Sequence, residues 1–136
     1  MEKKLKVEEV YECIALLGGF NNPQSQLTVV GFSNEKGISE GMRRIANKTF
    51  KKLNENWPKE QLEQINQPID EKIEGEEKIA ILNEKQAKMK ELLESEVTIV
   101  FEELPDFKLL DDRLEDRKEK LSYNYTYIFE RLFQNY

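Results

Sequence analysis

The chain reads as an α+β protein, mostly α-helical, with four helices and one small two-stranded element. Two observations predict this class. Apolar residues recur at three- and four-residue spacing in four separate stretches, the mark of amphipathic helices. Only two short runs, Leu27–Phe32 and Val97–Phe101, carry the branched and aromatic residues of a strand.

The first helix is expected over residues 7–17, where Val7, Val10, Tyr11, Ile14 and Leu17 share one side. Gly18-Gly19 stops it, and Phe20-Asn21-Asn22-Pro23 continues as loop. Leu27-Thr28-Val29-Val30-Gly31-Phe32 is β-prone, with Gly31 weakening it or marking a bulge. The second helix is expected over 39–56, with Ser39 as N-cap. Ile38, Met42, Ile45, Ala46, Thr49, Phe50 and Leu53 form its apolar side, and Trp57-Pro58 ends it.

Residues 58–77 are acidic and hold two prolines and one glycine. Pro58 is placed to open a further short helix from its first turn, and Pro68 interrupts it. Five carboxylates against one lysine between Asp70 and Glu77 predict an exposed, flexible acidic loop near 66–77 within a single domain spanning 1–136. A helix over 76–95 follows, with Ile79, Leu82, Met89 and Leu93 as its stripe and Gln86 in the same column. Val97–Phe101 is the clearest strand, and 27–32 is its expected partner. The last stretch, 107–134, is open to two readings. Phe107, Leu110, Leu114, Leu121, Tyr125, Ile128, Phe129 and Leu132 favour one long helix, whereas Ser122–Tyr127 alternates with period two as a strand does. The helix is preferred, because the pattern continues through Phe133.

Composition narrows function more than any motif does. The chain has 136 residues, one cysteine and no histidine. Histidine is the commonest general base and metal ligand at neutral pH. Its absence excludes Ser-His and Cys-His catalysis and the usual zinc sites, and no catalytic residue, metal site or cofactor is assigned. The net charge of −6 disfavours duplex nucleic acid. Cys13 lies in an apolar helical setting and reads as a structural thiol, in keeping with a reducing compartment. Neither a signal peptide nor an apolar run of ~20 residues is visible, so a cytoplasmic protein without a membrane partner is expected.

Two groups are candidate binding residues. Arg44, Lys48, Lys51 and Lys52 fall on one side of the second helix, where four cations suit a phosphate or an acidic partner. The bland alternative is a solvated face paired with the chain's many carboxylates. Tyr123 and Tyr127, at four-residue spacing opposite the main apolar column, are candidate interface anchors, with burial inside the chain as the alternative. Asp111, Asp112, Glu115, Asp116 and Glu119 give carboxylate pairs, but interleaved Arg113, Arg117, Lys118 and Lys120 make ion pairs the better reading. A small core and a long apolar column predict a homo-oligomer, most simply a dimer.

Arg43-Arg44-Ile45-Ala46-Asn47-Lys48, then Leu53, a variable acidic stretch, and Leu92-Leu93-Glu94-Ser95-Glu96-Val97-Thr98-Ile99 resemble small phage-encoded proteins of unknown function from low-GC hosts. The resemblance covers residues 40–102 and implies a phage setting, with either virion assembly or interference with the host; it carries over no functional residue. The function expected first is a non-enzymatic phage accessory protein that binds and inhibits a host (defence) factor. The alternatives are an oligomeric assembly or structural protein of a phage particle, and an oligomeric module that binds an anionic small molecule such as a nucleotide.

Overall fold

A computed structural model describes residues 1–110 and 121–136, and the acidic group Asp111–Glu119 lies outside them. The chain is α+β and mostly helical. Its order is β1 (Glu2–Lys6), α1 (Val7–Gly18), β2 (Phe20–Asn22), β3 (Leu27–Val29), a 3-10 turn (Phe32–Asn34), α2 (Glu40–Glu55), α3 (Lys59–Ile65), α4 (Glu76–Glu94), β4 (Glu96–Val100) and α5 (Thr126–Leu132). Residues 107–110 are also helical. Six helical segments among the described residues therefore replace the four expected.

Helices α1, α2 and α4 begin and end within a residue of their expected bounds, because each has its own start and stop. The Lys6 amide donates to Glu9 Oε1 at 2.9 Å, and Gly19, at φ 89°, turns the chain out of α1 while its N–H bonds Ala15 O at 2.8 Å. Ser39 Oγ accepts the Met42 amide at 3.1 Å and so caps α2. The expected apolar side of α2 is the packed one, with Ile38, Met42, Ala46, Thr49 and Leu53 buried and Ile45 and Phe50 half-buried.

The strands pair differently from the expectation. Leu27–Val29 does not join the late strand but turns back on Phe20–Asn22 as a local hairpin, in the register Phe20↔Val29. Asn22 Oδ1 accepts the amides of Gln24 and Ser25, which supplies the turn. The late strand β4 pairs antiparallel with β1, from Glu2↔Val100 to Lys6↔Glu96. Segment β1 hid because its five residues hold three lysines and one leucine, so no apolar alternation shows.

One long helix over 107–134 is also corrected. Residues 121–125 are neither helix nor strand, and α5 starts only at Thr126, with Asn124 Oδ1 accepting the Thr126 amide at 3.0 Å. A contact distant in sequence holds the break. Glu35, only 4% exposed, accepts hydrogen bonds from the Ser122 amide, the Ser122 hydroxyl and the Tyr125 hydroxyl. Burial, then the bond to Glu35, raises the Tyr125 phenol above its ordinary pKa. Tyr125 is fully buried, and it packs edge-on to Phe32 at 5.5 Å. Phe129 and Phe133 meet the same ring at 5.8 and 5.2 Å. Such edge-to-face pairs each add about 1 kcal/mol beyond area burial, and Phe32 is the centre that joins α1, α2 and α5 in one core.

Candidate functional site

Basic side chains on α2 form a cationic surface. Adjacent arginines on this helix have opposite tasks. Arg43 reaches back to the 3-10 turn, its Nη1 donating to Ser33 O at 2.8 Å and its Nη2 to Glu35 O at 3.0 Å, and it pairs with Glu40 at 3.5 Å. It holds α2 to the turn that carries Glu35. Arg44, one residue on, is exposed, as are Lys48 and Lys51. Lys52 is half-buried and lies 3.8 Å from Glu55.

The four predicted residues are brought together around two adjoining recesses. One, of about 350 Å³, is lined by Glu40, Arg43, Arg44, Asn47, Lys48 and Lys51. The other, of about 270 Å³, is lined by Lys48, Thr49, Lys51, Lys52, Glu55, Phe101, Glu102 and Glu103. Lys48 and Lys51 border both. Among the described residues, no carboxylate lies within ion-pair distance of Arg44, Lys48 or Lys51, whereas Lys52 has Glu55. Among the described residues these three cations thus have no ion-pair partner, and Glu102 and Glu103 line the far recess beyond them. That acidic border was not legible in sequence, because it depends on where the end of β4 meets α2.

The two tyrosines are not neighbours on one helix. Tyr123 precedes α5 and packs against Tyr125 with ring centroids 5.7 Å apart. Tyr127, in the first turn of α5, lies beneath the Arg131 guanidinium, 3.5 Å from its ring centroid. Both are half-buried against the core. Arg131 in turn donates from Nε to Glu9 Oε2 at 2.6 Å, locking α5 to α1. The Lys6 amide holds the Glu9 carboxyl below its ordinary pKa; burial opposes this, and Arg131 adds to it.

A third surface was expected as a helix seam but lies open. No residue of α4 is buried. Ile79 and Leu82 are 59% and 43% exposed, Gln86 is exposed, and Met89 and Leu93 are half-buried. Lys85 Nζ donates to Ile65 O at 2.7 Å and also to Gln67 O, so it satisfies carbonyls at the end of α3 and ties the two helices together. Between them runs a shallow groove of about 390 Å³ that includes Ile65, Pro68, Ile69, Leu82 and Met89.

Cys13 is fully buried, and burial pushes its thiol up to about 12. No helix among the described residues is long and apolar enough to cross a membrane, and no group of three or more metal-binding side chains occurs among them. Comparison with protein-family models, with curated proteins and with solved structures finds no match.

Proposed function

We propose that the chain is a non-enzymatic accessory protein that binds an acidic surface of a host protein through the exposed face of α2, and inhibits that protein. One observation carries this reading: Arg44, Lys48 and Lys51 stand side by side, exposed and without a carboxylate partner among the described residues, on a chain of net charge −6. A local cationic face on an acidic molecule orients an approaching partner and rejects basic ones. From Arg44 to Lys51 the cations extend about 10 Å along the helix. That spread fits an extended acidic surface better than one phosphate, and Glu102 and Glu103 on the neighbouring recess weigh against a nucleotide. The host setting follows from the resemblance of residues 40–102 to phage proteins.

The test reverses the charge of Arg44 and Lys48 together in the full chain. Both side chains are exposed, so thermal stability should move little. Affinity for the partner should fall at least about tenfold, and wild-type binding should weaken as salt rises. Unchanged affinity in the double variant, or binding indifferent to salt, overturns the reading. The open stripe of α4 favours a second reading, an assembly protein of a phage particle. Under that reading the double variant keeps its partner, while Leu82→Lys loses it.

A further inference from the structure

The sheet formed by β1 and β4 has two outer edges, and they differ in chemistry. Met1 and Phe101 exchange both backbone hydrogen bonds, Met1 N to Phe101 O at 2.8 Å and Phe101 N to Met1 O at 2.6 Å, and Val7 N bonds Ser95 O at 2.9 Å. In an antiparallel ladder bonded and non-bonded pairs alternate. The backbone N–H and C=O groups of Glu96, Thr98 and Val100 therefore point away from β1. Among the described residues none of them has a backbone partner. Their side chains are exposed, and Val100 is 61% so.

Natural proteins guard such edges with lysine, proline or bulges. The β1 edge is guarded: Lys4 and Lys6 flank it on the exposed face. The β4 edge reads Glu-Val-Thr-Ile-Val, with one charge at its start and high strand propensity throughout. We infer that β4 is the self-association edge of this protein, pairing antiparallel with β4 of a second copy about a two-fold axis at Thr98 to make a four-stranded sheet.

The register argues for a second copy. With the axis at Thr98, Thr98 faces Thr98 of the second copy, a favourable cross-strand pair. Glu96 faces Val100 of the second copy. No row on the exposed face then sets like charges side by side: one runs Lys6, Glu96, then Val100 and Glu2 of the second copy. On the opposite face half-buried Val97 gains Ile99 of the second copy as its neighbour, so the apolar floor of the sheet continues across the axis. A five-residue edge buries less than the ~800 Å² per partner of a standard interface, so the dimer dissociates in the micromolar range. This association is independent of the basic face of α2.

The test is a pair of opposite charges at the axis. Thr98→Glu places a carboxylate opposite Lys4 within the chain, so the fold is kept, but opposite itself in the dimer. Sedimentation of wild-type protein over about two decades of micromolar concentration should show a monomer–dimer equilibrium. Thr98→Glu should be monomeric throughout, with unchanged far-ultraviolet circular dichroism. Thr98→Lys faces Lys4 within the chain, a like-charge pair, so its circular dichroism must first match wild type; it should then also be monomeric, and an equal mixture of the two folded variants should recover the dimer as a heterodimer. A wild-type monomer at every concentration overturns the inference. So does Thr98→Glu protein that associates as wild type does, or a mixture that fails to recover.

Discussion

Side chains of the same type, even adjacent ones, do different work here, and contacts far along the chain decide which. Arg43 is bound to the carbonyls of Ser33 and Glu35, while Arg44 stands in solvent. Glu35 is a buried acceptor for Ser122 and Tyr125, while most of the chain's other carboxylates are exposed. Glu9 yields a pH prediction. Its carboxyl is held below its ordinary pKa by the Lys6 amide, and the ion pair with Arg131 adds to this. A depressed folded-state pKa gives stability that is present above the unfolded value of about 4.3 and is lost as pH falls through the folded value. Glu9→Gln should therefore be less stable than wild type near neutrality, and the gap should close on acidification below about pH 4. Urea midpoints of both proteins across that range measure it; a gap that widens in acid counts against the ion pair.

Single elements were legible in the sequence where their signals are local. Helix α2 shows its cap at Ser39, its apolar side from Ile38 to Leu53 and its stop before Pro58. The pairing of strands was not legible, since β1 presents only Leu5 as an apolar residue, and the two halves of the expected pairing each found another partner. The break at 121–125 was also hidden, because its cause, Glu35, lies 87 residues away from Ser122. In the sequence Gly31 reads as a weak point of a strand or as a bulge, but its role is tertiary. It adopts φ 93°, and a Cβ there would lie 2.5 Å from the Gly18 carbonyl carbon and the Gly19 nitrogen. The end of the hairpin thus crosses the end of α1 at backbone contact. Gly31→Ala should destabilise the protein by about 2 kcal/mol or more, since the φ and the clash act together. The urea midpoint reads this, and a loss below about 0.5 kcal/mol speaks against the tight crossing.

Across the whole molecule burial is uneven. The core takes in α1, α2, α5 and both sheets, while α3 and α4 contribute no fully buried side chain. Between α3 and α4, residues 66–75 are exposed apart from half-buried Ile69 and Ile73. The expected acidic loop is thus on the surface, and its mobility is a prediction: trypsin at low ratio should cut first after Lys72, the one basic residue of that segment. First cleavage within α2 would contradict it. The candidate binding face was legible in sequence as a set of cations at helical spacing, but its separation from Arg43 and its acidic border were not, since both depend on tertiary placement. Cys13 has one further consequence. The thiol is hidden on α1 and kept protonated by burial, and α1 is covered by α5 through the Glu9–Arg131 link. A thiol reagent gains access only while the molecule is transiently open. Because the sequence contains no other sulfhydryl, the rate of its modification is a clock for that opening, and the clock is built into the native chain.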